Sequence, residues 1–222
     1  MPDRLPLFPL SLVLFPGLVL PLHIFEERYR ILIGELLELP EPERVFGVIA
    51  IRQGREVGAD GVDALYNIGC TAVLHRSERD DDGGFDIVTT GGTRFALRGL
   101  LHDRPYLVGE VDVLAEPPPG AQQQRWDEAV RMAYLDYLAA LREAGARVDE
   151  HPDLPGDALT LSYLVAASMQ LDLPERQSLL AAPSAVTRLQ DELAMLRLEC
   201  RLLRAFGALP APELARTPAH WN

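Results

Sequence analysis

Five histidines, His23, His75, His102, His151 and His220, are the side chains of this 222-residue chain whose ordinary pKa suits proton transfer near neutral pH. His23 sits between Leu22 and Ile24 just ahead of an amphipathic stretch, where a hydrogen-bonded structural imidazole competes with a general base. The other four fall in or near polar loops with no catalytic companion nearby, which reads as surface; a triad assembled in space needs no sequence neighbours, so the histidines alone do not decide the matter. The chain contains no lysine, which excludes both a GxxxxGK[ST] phosphate loop and a Ser-Lys dyad, and the GxSxG and HExxH patterns are also missing. Glu26 with Glu27 reads as favourable charge at a helix start, and Asp80 to Asp82 as a solvated hairpin tip without the alternation of an EF-hand loop. Cys70 and Cys200 stand 130 positions apart with neither a CxxC partner nor a histidine at ligand spacing, so they are expected to be reduced and buried. No metal or cofactor is implied.

Composition narrows the partners. Acidic residues number 33 against 21 basic ones, a formal charge of -12 that repels duplex nucleic acid, and no basic patch or basic-aromatic stripe offsets it. The exclusive use of arginine reflects a GC-rich coding bias more simply than a binding role. Apolar residues at 48% and charged ones at 24% describe a globular chain that can bury a core unaided. The apolar stretch from Leu5 to Ile24 is broken by Pro6, Pro9, Pro16 and Pro21 and has no small-residue cleavage site, so neither a signal peptide nor a membrane span is expected and the cytoplasm is the default location.

The elements that must position any site follow from periodicity. Residues Leu5 to Leu22 read as strand, turn at Pro16-Gly17, strand, and His23 to Leu39 as one amphipathic helix ended by Pro40 and Pro42. Val45–Ile51, Ala64–His75, Phe85–Thr90, Thr93–Leu101 and Tyr106–Leu114 read as strands, with a loop at Gly58 to Gly61, a hairpin tip at Asp80 to Gly84 and a tight turn at Gly91-Gly92. Glu116-Pro-Pro-Pro-Gly120 marks a boundary. Beyond it Gln123–Ala144, Asp157–Met169, Pro174–Ala181 and Ser184–Phe206 are helical. The last opens on Ser184 as N-cap, carries Leu189, Leu193, Leu196, Leu203 and Phe206 on one side, and stops at Gly207. The expected fold is α+β: a β pseudo-barrel with one amphipathic helix over residues 1–117, an α-helical bundle ending in a long helix over 118–207, and a loosely held tail over 208–222.

Leu5-Pro-Leu-Phe-Pro-Leu10, Val13-Leu-Phe-Pro-Gly17 and Leu20-Pro-Leu-His-Ile-Phe-Glu-Glu-Arg-Tyr-Arg30 are followed in order by Phe46-Gly-Val-Ile-Ala50, Gly69-Cys-Thr-Ala72, Gly92-Thr-Arg-Phe95 and Pro105-Tyr-Leu-Val-Gly-Glu-Val111. Together these blocks resemble the N-terminal, substrate-binding domain of the Lon protease family. The resemblance runs over about residues 5 to 205, is strongest up to Val113, and continues through Leu173 to Leu180 with Gln177, then Arg188-Leu189 and the last helix. It implies a PUA-like pseudo-barrel followed by a helical bundle. It also implies recognition of polypeptide without degradation, because full-length Lon proteases continue into an ATPase and a Ser-Lys peptidase, whereas this chain stops just after its first long helix. PUA-like folds elsewhere bind RNA, which the -12 charge argues against.

The expected function is therefore a non-catalytic protein- or peptide-binding module, an adaptor in protein quality control for a separate protease or chaperone. The binding route would be an apolar cleft between barrel and helices or an exposed strand edge. Leu18, Ile24, Phe25 and Tyr29 are the candidate apolar contacts, with Glu27 and Arg28 on the polar side; the competing reading makes the four hydrophobes core residues joining two lobes. Two other classes stand beside this one. One is an enzyme or small-molecule binder with a site assembled in space, marked by a deep pocket, converging His, Asp or Arg and shifted pKa values. The other is a structural protein whose final helix pairs with itself or a partner; the sequence does not set the oligomeric state.

Overall fold

The computed structural model describes residues 3–54, 62–118, 121–149 and 152–207; the loop expected at Gly58 to Gly61, His151 and the tail from 208, with His220, lie outside the described residues. The chain divides into two compact units, one up to Ala115 and one from Glu116, two residues ahead of the boundary read from the prolines. None of the described helices is long and apolar enough to cross a membrane.

The first unit is built from β1 (Asp3–Leu10), β2 (Val19–Ile24), α1 (Glu27–Leu37), a 3-10 turn at Glu41–Glu43, β3 (Val45–Gly54), β4 (Val62–Leu65), β5 (Ile68–Arg79), β6 (Phe85–Leu101) and β7 (Val108–Val113). Neighbours run β1-β7-β6-β5-β3, and a further pairing of β1 with β3 closes these five strands into a ring. The β1–β3 pair is parallel, and β1 splits its length: Asp3 to Pro6 pair antiparallel with β7, Leu7 to Leu10 parallel with β3. β4 extends from β3 and β2 from β6, outside the ring. Alternation along the strands gives two apolar faces. One packs Phe8, Phe46, Val48 and Leu74 against Tyr29, Leu32, Ile33 and Leu36 of α1; the other gathers Leu7, Ile49, Phe95 and Val111.

Three expectations are corrected here. Ala64–His75 is not one strand: β4 ends at Leu65 and β5 begins at Ile68, with Tyr66 and Asn67 between them. His23 and Ile24 are not the start of the helix but the end of β2, and α1 begins four residues later at Glu27. The apolar spacing of a strand ending in Ile24 runs without a break into that of the helix, so periodicity hides the junction. Gly91-Gly92 is not a turn: β6 is one strand of 17 residues running straight through it. These glycines are needed for close approach, since a Cβ at Gly91 would stand 2.2 Å from the carbonyl oxygen of Phe15 and one at Gly92 2.5 Å from Thr71 Oγ1. Opposite them the β5–β6 register shifts between Cys70 and Ala72, an irregularity that bends the pair. The hairpin tip falls where expected, with Gly83 at φ 81° and the Asp80 carboxylate accepting the Gly84 N–H at 2.6 Å.

The second unit holds α2 (Ala121–Glu143), α3 (Ala158–Ser168), α4 (Leu173–Ala181) and α5 (Ala185–Phe206). Local chemistry sets their ends. Asp157 caps Thr160, Asp172 and Glu175 form a capping box, Ser184 caps Thr187, and Gly207 closes α5 at φ 60°. α2 and α5 run parallel: Arg125 and Trp126 lie beside Gln190 near their starts, and Asp136 pairs with Arg204 further along. Leu189, Leu193, Leu196 and Leu203 are buried inside this unit, so the α5 stripe is used internally; Phe206, expected on the same side, is 75% exposed.

Two glycine substitutions separate close approach from helix propensity. Gly91→Ala lowers stability by about 1–3 kcal/mol through backbone overlap, whereas Gly34→Ala in α1, with nothing within 4 Å of its Cβ, raises it by about 1 kcal/mol. Thermal and urea unfolding of both variants checks the pair.

Candidate functional site

Of the six residues singled out for peptide contact, Ile24 is 1% and Tyr29 3% exposed, and both belong to the core. Tyr29 stacks on Phe8 with ring centroids 4.0 Å apart, and the Arg28 guanidinium carbon lies 4.5 Å from the Tyr29 centroid. Arg28 also pairs with Glu26 at 3.0 Å, and Glu27 with Arg30 at 2.6 Å. Leu18 packs partly buried against the same core, while Phe25 stays 38% exposed. The depression that Ile24, Phe25 and Tyr29 line with Phe8, Pro9, Leu10 and Glu26 holds only about 10 Å³, room for one water molecule at most. The core reading therefore describes Ile24 and Tyr29, and only Phe25, Glu27, Arg28 and part of Leu18 reach the surface.

A larger groove, about 650 Å³, lies one strand away on the face formed by β2, β6 and β5. Register builds it in rows across three strands. Pro21 faces Val88, which faces Arg76; in the next row His23 faces Asp86, which faces Glu78. Leu20, Leu22 and Ile87 also border it, but Leu22 and Ile87 are buried in the core at 4% and 1% exposure, so Pro21 and Val88 supply its apolar side chains. The His23 imidazole N–H at Nδ1 donates to Asp86 Oδ1 at 2.9 Å, Nε2 stands 4.0 Å from Asp80 Oδ2, and Arg76 is paired with Glu78. His23 thus has carboxylate partners, but no serine, threonine or cysteine lines the groove to be activated by it. His75 and His102 are exposed in other places. Among the described residues no group of three His, Cys, Asp or Glu is placed to hold a metal ion. Of the groove residues, sequence reasoning had weighed only His23 on its own, because the rows exist only through the β2–β6–β5 register.

The helical unit offers two further hollows. One of about 510 Å³ lies at the first turns of α2, α3 and α5, but Asp157 and Ser184 already cap two of these helices and no basic residue lines it. The other, about 480 Å³, runs between α2 and α5 beside Arg125, Trp126 and Arg197. The strongest electrostatics lie elsewhere, in the core. Arg188 is fully buried; its Nε donates to Leu179 O at 2.9 Å and Nη1 to Ser162 Oγ at 3.0 Å, Nη2 lies 3.7 Å from Glu116 Oε1, and its guanidinium carbon sits 4.1 Å from the Tyr163 centroid. Tyr163 donates in turn to Glu116. One helical turn on, Glu192 is also fully buried with neither carboxyl oxygen hydrogen-bonded, and burial pushes its pKa up to about 9, a rise that Arg188 only partly offsets. Glu192 borders none of these hollows, so its shift reflects burial in a core. The Cys70 thiol, pushed up to about 12 by burial, is likewise unreactive.

A family profile described as the ATP-dependent protease La (LON) substrate-binding domain matches residues 4–197. Among curated relatives, Lon protease 2 of Syntrophobacter fumaroxidans is 27% identical over 194 residues, 86% of this chain and 24% of the relative. Lon protease 2 of Myxococcus xanthus is 25% identical over 209 residues, 91% and 24% respectively. The chain thus spans about a quarter of these relatives' length. Two solved structures share the fold: the Lon N-terminal domain protein from Xanthomonas campestris, with a TM-score of 0.60, 22% identity and coverage of 86% of this chain and 98% of that one; and the N-terminal domain of Mycobacterium avium complex Lon protease, with a TM-score of 0.60, 16% identity and coverage of 90% and 98%. The ring of strands followed by helices ending in a long one is therefore the Lon N-terminal fold.

Two stability experiments test these placements. Tyr29→Ala costs about 3–5 kcal/mol, as truncating a buried aromatic does, while half-exposed Phe25→Ala costs about 1 kcal/mol. For Glu192 the folded state keeps a proton that the unfolded chain releases above its ordinary pKa near 4.5, so this residue's contribution falls as pH rises from there towards 9. Glu192→Gln is accordingly near neutral at pH about 5 and stabilising by on the order of 2 kcal/mol at pH about 8; urea unfolding at both values reads the difference.

Proposed function

Because this chain belongs to the family of the ATP-dependent protease La (LON) substrate-binding domain, we propose that it is a polypeptide-binding module whose contact surface is the β2–β6–β5 groove. The supporting observation is the groove itself: about 650 Å³ of concave surface whose apolar side chains are Pro21 and Val88, with the core residues Leu22 and Ile87 behind them. Val19 stands 66% exposed on the same strand, β2. An unfolded polypeptide carries apolar side chains that remain in water until they meet such a surface, and their burial supplies the driving force. Phe25 extends the surface at one end, since its ring stacks on His23 with centroids 6.4 Å apart; Glu27 and Arg28 do not line it. Ile24 and Tyr29 are core residues and do not line it.

Such a module holds its client and does not cut it, for the absence of lysine removes a Ser-Lys peptidase and a Walker-type ATPase from this sequence. It acts as an adaptor, presenting bound polypeptide to a protease or chaperone carried on other residues. A purely structural role for α5 has less support, because its leucine stripe is buried within its own unit.

The test uses labelled lysozyme that has been reduced and carboxyamidomethylated so that it stays unfolded, titrated with the protein by fluorescence anisotropy. Saturable binding is expected, with Val88→Asp and Val19→Asp each weakening it at least about tenfold, or about 1.4 kcal/mol, while their melting curves stay close to wild type. Absence of binding, or binding that neither substitution alters, overturns the proposal.

A further inference from the structure

The geometry points to strand addition as the mode of recognition: an extended, apolar polypeptide stretch bearing a lysine or arginine pairs with the outer edge of β2 and sets its cation against Asp86 and Asp80. This inference rests on the polypeptide-binding reading above and specifies its site, backbone geometry and client chemistry.

The edge follows from the ladder. Among the described residues β2 pairs only with β6. The Gly91 N–H donates to Leu18 O at 2.8 Å, which sets the phase of this antiparallel pair: even-numbered residues of β2 exchange hydrogen bonds with β6, and Val19, Pro21 and His23 turn their backbone groups outward. Pro21 agrees with that phase, since a residue without an N–H fits a strand only where no ladder bond is lost. The outer edge then offers the N–H and C=O of Val19 and His23 and the C=O of Pro21. One donor is missing from the row, which weakens pairing between identical copies but leaves two donors and three acceptors for another strand.

The charge beside that edge selects the client. Between Arg76 and Asp86 the sequence carries five carboxylates, Glu78, Asp80, Asp81, Asp82 and Asp86, against two arginines. Both arginines are engaged: Arg76 pairs with Glu78, and the Arg79 guanidinium carbon lies 5.7 Å from the Phe85 ring centroid. Asp86, 66% exposed in its side chain, reaches the edge through His23, with Asp80 4.0 Å beyond on the far nitrogen of the same imidazole. An incoming cation lies over the His23–Asp86–Glu78 row while neighbouring apolar side chains enter the groove along the Pro21–Val88–Arg76 row. An anionic stretch meets the same carboxylates as repulsion.

Three fluorescein-labelled peptides of roughly ten residues test this: one alternating valine and threonine with a central lysine, its glutamate counterpart, and the lysine peptide N-methylated at alternate amides. The lysine peptide is expected to bind at least about tenfold tighter than either of the others, and more weakly at about 0.3 M than at about 0.05 M salt. Asp86→Asn removes the lysine preference. Val19→Pro, which deletes an outward N–H and leaves the β6 ladder intact, weakens the lysine peptide to the level of the methylated one. Equal affinity for methylated and unmethylated peptides overturns strand addition, and equal affinity for lysine and glutamate overturns the charge selection. A dimer that Val19→Pro abolishes identifies a second copy of the chain as the occupant and overturns the proposal too. Unfolded lysozyme titrated alongside separates the two levels: if it binds while the peptides fail to discriminate, only this inference falls, and if it does not bind, the polypeptide-binding reading falls with it.

Discussion

Closure of the sheet by its first strand is the constraint on which the rest of the β unit depends. β1 enters between β7 and β3, antiparallel to one and parallel to the other, and with it the five strands have no free edge left among themselves. β2 lies outside the ring, alongside the first half of β6, and among the described residues no strand pairs with its other side. The half of β6 beyond Gly91-Gly92 is taken by β7, so one 17-residue strand serves two neighbours on the same side in succession. An exposed strand edge beside an apolar groove is thus a by-product of how the ring is closed. The same closure aligns Phe8 with Tyr29 and so ties α1 to the sheet.

Polar chemistry in the two units serves different ends. In the helical unit two ionisable groups, Arg188 and Glu192, are withdrawn from water: Arg188 is satisfied by a carbonyl, a hydroxyl and a nearby carboxylate and stacks over Tyr163, linking α3, the end of α4 and the chain at Glu116 to α5. Such a group holds a fold in one arrangement, because removing any partner strands the others in an apolar core. Glu192 beside it is tolerated by staying protonated. In the β unit the charges of the β5–β6 arm remain at the surface, where they cost little to keep and are available to another molecule. In this member of the substrate-binding-domain family the β2–β6–β5 groove lies on the arm that carries those surface charges.

Element types and most boundaries were legible in the sequence for a local reason. Ser184, Asp157 and Gly207 act within one helical turn of themselves, so the ends of α3 and α5 could be read directly. Gly91-Gly92 misled for the opposite reason: the demand for glycine comes from the Phe15 carbonyl and Thr71, residues distant in sequence, and a paired glycine read locally means a turn. The start of α1 was placed too early because strand and helix spacing merge through His23 and Ile24. Of the hydrophobes weighed both as contact surface and as core, Ile24 ends a strand and Tyr29 lies inside, while Phe25 is 38% exposed.

The sequence by itself determined the α+β order of elements, the Lon N-terminal kinship carried by the ordered blocks from Leu5 to Val111, and the exclusion of lysine-dependent chemistry. Each of these is a property of residue type or short-range spacing. Only the tertiary structure decided which strand is left at the edge, that His23, Asp86 and Glu78 form a row, that Pro21 turns its missing donor outward, and that Arg188 and Glu192 are buried together. Those facts depend on register between strands and on packing between helices, where a shift of one residue exchanges the inner for the outer face, and no local pattern in the chain encodes that choice.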